Sequence, residues 1–195
     1  MIKYFFPYFG PFVMRTQLHT DDIIKLKNIL KKNKDYREQL AGHIREEYKL
    51  DSVIYDKITK PYLNVYKKGW EKFYNKKFTN QLICDSVWVN YMKAGEFNPR
   101  HQHSQDFSSV LYLEIPKSLK KEASSFVGTS EVPGSIMFDI TSYDIPNFIG
   151  HYHFLPEVGD MVIFPSNTGH TVFPFQSRGV RISVAANYSL KTDKK

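Results

Sequence analysis

Two histidines one residue apart, His101 and His103, open the stretch PRHQHSQDFSSVLYLEIP, and a third, His170, follows the strand-like run GDMVIFPSNTG. In an extended strand residues i and i+2 point to the same face, so the imidazoles of His101 and His103 converge. Such a pair suits a metal ion, or it is two surface residues with no shared task. His170 opens the run HTVFPF, so all three lie at strand edges in different parts of a β-rich region. Such positions can meet inside one mouth when strands close on themselves. Neutral imidazole is a good ligand for Fe, Zn, Cu or Ni. Eleven residues after His170, RGVRISVAANY places Arg181 and Ser183 on one face of a last strand, with Asn187 further along it. Val180, Ile182, Val184 and Ala186 form the other face. A buried guanidinium without an anion is costly, and its planar fork matches a carboxylate through two parallel hydrogen bonds. The economical reading is a small diacid that enters the barrel, one end on the metal and the other on Arg181 and Ser183.

The elements that would position these residues follow from periodicity. From residue 85 the apolar pattern has period two: DSVWVNYM, SSVLYLEI, GSIMFDI, GDMVIFPS, HTVFPF and VRISVAANYSL, most bounded by Gly, Pro, Ser or Asn. Short strands with frequent turn signals predict a sandwich or barrel-like jelly roll. In DSVWVNYM, Trp88 reads as core against a helical layer and Tyr91 lies on the other face. Residues 117–133 and 141–153 carry no clear pattern and read as long loops, which are often functional. Residues 20–49 read as helical. Thr20 is the N-cap, Asp21 and Asp22 occupy the first turn, and Ile23, Leu26 and Leu30 make the apolar stripe. A pause at KKNKDY splits off a second helix with Leu40, Ile44 and Tyr48. A further helix starts at Asp51 or Ser52 and carries Ile54, Ile58, Val65 and Phe73, with a kink or break at Pro61. The expected architecture is mostly β with N-terminal helices: a helical support layer over 20–80, a double-stranded β-helix (jelly-roll, cupin-like) core over 85–190, and one domain over 1–195.

Composition narrows the function classes. With 13 Tyr and 15 Phe the chain favours a sheet-rich core. Cys84 is the only cysteine, which excludes an internal disulfide and is compatible with a reducing compartment. The formal charge of +7 could attract nucleic acid, but the lysines cluster in helix-like segments and in the terminal KTDKK, which read as solvated surface. No run approaches the ~18 apolar residues of a membrane span. The start, MIKYFFPYFGPFVM, lacks the basic and apolar blocks of a signal peptide. A cytoplasmic protein with neither membrane nor nucleic-acid partner is expected.

The order His-x-His, about seventy residues, His, then Arg-x-Ser resembles the iron(II)- and 2-oxoglutarate-dependent oxygenases. The likeness is closest to the prolyl-hydroxylase-like branch carried by many marine and T4-like phages, for which the compartment would be the host cytoplasm. The segments that carry it are WVNYMKAGEFNPRHQHSQDFSSVLYLEIP, LPEVGDMVIFPSNTGHTVFPF and RGVRISVAANYSL, with LAGHIREEYKL as a less distinctive addition. The resemblance implies a double-stranded β-helix, an Fe(II) centre, and 2-oxoglutarate chelating the iron while Arg181 and Ser183 hold its far carboxylate. Tyr91, ten residues before His101, matches a position where prolyl hydroxylases often carry a Tyr that contacts the cosubstrate. The implied reaction consumes O2, decarboxylates 2-oxoglutarate to succinate and CO2, and hydroxylates a protein or peptide side chain, prolyl being the leading substrate.

One departure matters. Two residues after the first ligand the family usually has a carboxylate, and here that position is His103. An all-histidine face resembles the cupins, and Gly95, five residues, then His-x-His fits their first motif, although their glutamate is missing. Asp106, the nearest carboxylate, is the alternative third ligand if the chain bends there. Two competing functions stand beside the oxygenase: a cupin-type metal enzyme that does not use 2-oxoglutarate, and a non-catalytic jelly-roll binding module. Among the remaining residues, His19 and His43 read as surface or capping. His151 and His153, in IGHYHFLPEVG, read as substrate-facing or surface, with a second metal site as the alternative. Arg178 reads as a solvated turn residue, Cys84 as a small buried one, and Asp139 and Asp144 carry no assigned role.

Overall fold

The computed structural model describes residues 10–139 and 150–191. In chain order the elements are β1 (Met14–Gln17), α1 (Thr20–Asn28), a 3-10 turn (Arg37–Gln39), β2 (Glu47–Lys49), α2 (Ser52–Tyr74), β3 (Gln81–Met92), β4 (Asn98–His101), β5 (Phe107–Glu114), α3 (Leu119–Ser125), β6 (Ile136–Asp139), β7 (His151–Phe154), β8 (Asp160–Pro165), β9 (Gly169–Val172) and β10 (Arg181–Lys191). They form two antiparallel sheets, a six-stranded one ordered β1-β8-β5-β10-β3-β2 and a four-stranded one ordered β4-β9-β6-β7. This mostly β, jelly-roll arrangement agrees with the period-two pattern from residue 85.

The larger sheet is buried on both faces. Its outer face (Val87, Val89, Leu111, Leu113, Met161, Ile163, Val184, Ala186) packs with Leu26 of α1 and with Tyr55, Tyr62, Leu63 and Tyr66 of α2. Its inner face meets the smaller sheet, where Met92, Val162 and Phe164 contact Ile136, Phe138, Phe154 and Val172. α2 forms where the pattern expects it. Asp51 caps it by accepting from the N–H groups of Val53 and Ile54, and Asn75 ends it with a left-handed φ of 51°. The helix continues through Pro61 rather than breaking. Pro61 and Lys57 both lie on the exposed face, so the carbonyl that loses its donor is on the water side.

Three expectations are corrected. The first helix ends at Asn28, and no second helix carries Leu40, Ile44 and Tyr48. That segment makes the 3-10 turn and then β2, which pairs with the edge of β3 through Glu47↔Asn90, Tyr48↔Val89 and Lys49↔Trp88. Helical spacing of apolar residues lost to the backbone donors and acceptors that β3 would otherwise leave unpaired. Second, residues 117–133 are not all loop. α3 lies within them, and the Glu122 carboxylate accepts from the N–H groups of Gln176 and Ser177 at 2.7 Å each. Third, the end of the expected loop 141–153 is strand β7, paired with β6. The remainder of that loop, with Asp144, lies outside the described residues.

Candidate metal centre and cosubstrate pocket

β4 and β9 pair so that His101 and His170 lie directly opposite each other. His103 follows β4 and is fixed by its own N–H, which donates to the Ser166 carbonyl at 2.9 Å. The three rings gather: centroids are 4.1 Å apart for His101 and His170, 5.1 Å for His101 and His103, and 5.2 Å for His103 and His170. One ring nitrogen from each lies within 4.8 Å of the others. Nδ1 of His101 is 2.7 Å from the Pro99 carbonyl, and Nδ1 of His170 is 3.0 Å from that of Thr168. A carbonyl only accepts, so each Nδ1 carries the proton and each Nε2 keeps a free lone pair, the arrangement a metal ligand needs. Burial lowers the pKa of all three. It brings His170 to about 3 and His103 to about 4, and the neighbouring His101 adds to both effects. At neutral pH the cluster therefore presents three neutral imidazoles.

Behind the histidines the cleft, of about 170 Å³, runs down the inner face of the larger sheet. Arg181 lines its wall and is 2% exposed. Its Nη1 donates to the Gly134 carbonyl at 3.0 Å, its Nη2 lies against the Met92 sulfur, and its Nε has no partner. Its charge faces the rings of Tyr112 and Phe175, 5.8 and 6.0 Å away. Burial presses its pKa downward. Asp160, by contrast, is a buried charge that is fully partnered, taking Arg15 at 3.1 and 2.8 Å, Gln17 at 2.6 Å and the Glu157 N–H at 2.8 Å. Around Arg181 other cleft atoms are also left over: the hydroxyl of Tyr112, Oδ1 of Asn90 and Oε2 of Glu47. Burial holds the Tyr112 hydroxyl protonated, with its pKa up at about 12, so it is a donor. Ser183 lies beside Asn90, whose Nδ2 is 3.4 Å from its Oγ. Arg181, Tyr112 and Ser183 line one cleft, and the donors that Arg181 Nε and the Tyr112 hydroxyl leave unpaired fit the distal carboxylate of a diacid.

Two of the expected site residues lie elsewhere. Tyr91 is on the outer face of β3, edge-on to Tyr48 at 6.1 Å and under the Lys32 ammonium, and does not line the cleft. Register explains this. Ser183 of β10 lies opposite Asn90, so Trp88, Asn90 and Met92 share the inner face and Tyr91 must face out. Trp88, expected in the core against the helices, instead lines the cleft with its ring 5.8 Å from that of His103. Asp106 does not join the histidines. Its carboxylate accepts from the Leu190 N–H at 2.7 Å, at the end of β10. Tyr112 and Glu47 were missed. Tyr112 is in phase with Ser108 on β5, a signal available in the run SSVLYLEI, whereas Glu47 was hidden by reading its segment as helix.

Outside the cleft, His19 is exposed at the start of α1 and makes no side-chain capping bond. His43 is exposed and stacks on Phe97 at 4.6 Å, and Arg178 is exposed in its turn. Cys84 lies outside the cleft and burial raises its pKa to about 12, so it is a poor nucleophile. Asp139 binds Arg100 at 2.7 Å behind Gly169. Among the described residues no helix is long and apolar enough to cross a membrane.

A jelly roll with imidazoles gathered at the mouth of a cleft and a buried cation within it defines a class, the metal-dependent enzymes of the double-stranded β-helix fold. Comparison with known proteins names the family. A model of 2OG-Fe(II) oxygenases matches residues 86–187, and the chain belongs to that family. It is therefore an Fe(II)- and 2-oxoglutarate-dependent oxygenase, which leaves the cupin-type alternative without support. No curated protein matches the sequence. Among solved structures, a prolyl-4-hydroxylase of Pseudomonas putida is similar with a TM-score of 0.58 and 14% identity over 92% of this chain and 93% of that one. The viral collagen prolyl hydroxylase of Paramecium bursaria Chlorella virus-1, solved with 2-oxoglutarate, gives 0.52 and 15% over 90% and 94%. HygX of Streptomyces hygroscopicus, solved with nickel, 2-oxoglutarate and hygromycin B, gives 0.55 and 9% over 92% and 82%. At such identities these likenesses speak for the fold.

Proposed function

We propose that the chain, as one oxygenase unit over 1–195, hydroxylates a protein or peptide side chain, with a prolyl residue as the leading substrate. His101 and His170, through Nε2, and His103 would hold the Fe(II), and Arg181, with Ser183 and Tyr112, would seat the distal carboxylate of 2-oxoglutarate. The observation that carries this reading is the fully buried Arg181, without an anion, in the same cleft as three neutral imidazoles. With both groups bound, the centre would couple reduction of O2 to two oxidations: 2-oxoglutarate would leave as succinate and CO2 with one oxygen atom, and the other would enter the substrate C–H bond as a hydroxyl. The chain's own part is positional and electrostatic. The imidazoles arrive neutral, those of His101 and His170 oriented by backbone carbonyls, so metal binding displaces no proton from them at neutral pH. The guanidinium fork fixes which end of the diacid points inward. Phe164, Val110 and Ile136 keep the walls apolar, which strengthens both interactions. The prolyl preference rests on the resemblance to prolyl hydroxylases, and three of the structural neighbours bear that name. Membership of the phage branch and residence in the host cytoplasm belong to the same reading.

The test is succinate formation from 2-oxoglutarate with Fe(II) and ascorbate, with and without proline-containing peptides, comparing the parent chain with His170→Ala and Arg181→Ala. Turnover in the parent and its loss in both variants is expected. Turnover that survives Arg181→Ala at unchanged cosubstrate KM would sink the site assignment, and peptide-independent turnover with no hydroxylated residue would sink the substrate assignment.

A further inference from the structure

A second group of metal-binding side chains lies away from the cleft. β7 is the outer strand of the smaller sheet, paired only with β6. On it His151 and His153, two residues apart, project to one face, with rings stacked at 5.5 Å and 20°. Glu131 reaches them from the segment ahead of β6, just before the turn at Gly134, whose φ is +77°. Its Oε2 is 3.1 Å from Nδ1 of His153 and its Oε1 is 3.9 Å from Nε2 of His151. The three donors lie within 4.8 Å of one another. None of these residues lines the cleft.

We infer that Glu131, His151 and His153 form a surface site for a divalent transition metal ion such as zinc, clipping the segment ahead of β6 to β7. Two ligand atoms each ~2.1 Å from a tetrahedral ion are ~3.4 Å apart, and the three donor atoms, one from each residue and all within 4.8 Å of one another, reach that spacing by small side-chain rotations. The donor set of two imidazoles and one carboxylate suits zinc, nickel or copper and is poorly matched to magnesium or calcium, which take oxygen. An ion pair alone is a weaker account. A hydrogen bond from the His153 ring to Glu131 accounts for the 3.1 Å contact and leaves His151 at 3.9 Å, whereas one cation satisfies all three groups at once. The imidazoles are 43% and 45% exposed, which leaves the remaining coordination position open to water. The nearest other carboxylate on β6, Asp139, is engaged by Arg100 and does not compete.

The full chain, stripped of metal, is dialysed to equilibrium against Zn2+ alone. Two zinc ions per chain are expected, one in the cleft and one here. His151→Ala/His153→Ala, at two exposed positions of β7 outside the core, should bind one. Glu131→Gln should bind the second at least about tenfold more weakly. His101→Ala/His170→Ala, checked by circular dichroism for folding, should keep the surface ion, so that a failure of the cleft assignment is separable from a failure here. Unchanged stoichiometry and affinity in His151→Ala/His153→Ala, or a parent chain that takes up only the one ion lost in His101→Ala/His170→Ala, would overturn the inference.

Discussion

Replacing Arg181 by methionine separates binding from stability, because the two should move in opposite directions. Without cosubstrate the guanidinium is fully buried, makes one hydrogen bond to a carbonyl, leaves Nε unpaired and meets no anion. Taking such an ion out of water costs several kcal/mol, while the bond to Gly134 returns only about 1.5–3. Methionine fills much of the same volume with apolar atoms, so the cosubstrate-free variant should be as stable as the parent or more so. With 2-oxoglutarate the sign reverses. Losing one partner of a buried charge pair costs about 2–5 kcal/mol, a loss of about 30-fold to a few thousand-fold in affinity. The assay is thermal unfolding with Mn(II) in place of iron, which prevents turnover. At a 2-oxoglutarate concentration about 100 times its Kd the parent gains ~2.7 kcal/mol, or roughly 5–10 °C in a chain of this size. At that same concentration Arg181→Met should gain less than about 3 °C. A variant several kcal/mol less stable without cosubstrate, yet shifted by 2-oxoglutarate as the parent is, would refute the reasoning.

Three further outcomes are expected. His103→Asp, which restores the family's usual carboxylate, should retain Fe(II) and support succinate formation, whereas His103→Ala should lose metal affinity by more than the about 10- to 100-fold typical of losing a supporting residue. Competition with a chromogenic chelator reads both, and a His103→Ala chain that binds as the parent does would remove His103 from the ligand set. Glu47, buried and beside Glu96, has its pKa raised from 4.5 to about 7, so its stabilising contribution is fully present below pH 4.5 and is lost as pH rises to about 7. The amount is about 3 kcal/mol, and Glu47→Gln should flatten the urea-unfolding profile over that window, an unchanged profile counting against the burial argument. At Gly169 an added Cβ would lie 2.6 Å from Nη2 of Arg100 and 2.8 Å from Oδ1 of Asp139, so Gly169→Ala should cost about 1–3 kcal/mol in chemical denaturation and weaken metal binding at the adjacent His170.

What could be read from the sequence followed from how many faces each strand buries. β10 carries Arg181, Ser183 and Asn187 on one side and Ile182, Val184 and Ala186 on the other, so its polar inner face was legible, as were the histidines at the ends of short strands. β3 is buried on both sides, and its two faces, Val87-Val89-Tyr91 and Trp88-Asn90-Met92, are equally aromatic and apolar. Alternation separated those faces without saying which one looked inward, and only the register with β10 decides it. The resemblance to prolyl hydroxylases drew Tyr91 to the site and alternation could not correct it; Tyr112 stands in the cleft instead. The helix expected through residue 49 failed for another reason. Leu40, Ile44 and Tyr48 have helical spacing, but β3 exposes an edge that β2 satisfies, a long-range demand no local pattern announces. That error concealed Glu47 as well, because its inward direction follows from lying opposite Asn90.

These two readings, a histidine in place of a carboxylate and a glutamate revealed by β2, bear on one charge balance. With His101, His103 and His170 as the proposed ligands, three neutral imidazoles would leave the two positive charges of Fe(II) to be met by the two negative charges of 2-oxoglutarate. Arg181 then stands as a net positive charge in a desolvated cleft. A carboxylate at position 103 would offset it, and His103 does not. Among the residues lining the cleft Glu47 is the one carboxylate, and one of its oxygens has no partner. Its high pKa is a property of the cleft before iron and cosubstrate enter, set by desolvation first and by Glu96 second. With both bound, the surplus positive charge would favour the ionised form of Glu47, by an amount the low dielectric of the cleft enlarges. Glu47, on β2 at the edge of the larger sheet, is thus the carboxyl that lines the cleft in which position 103 carries none.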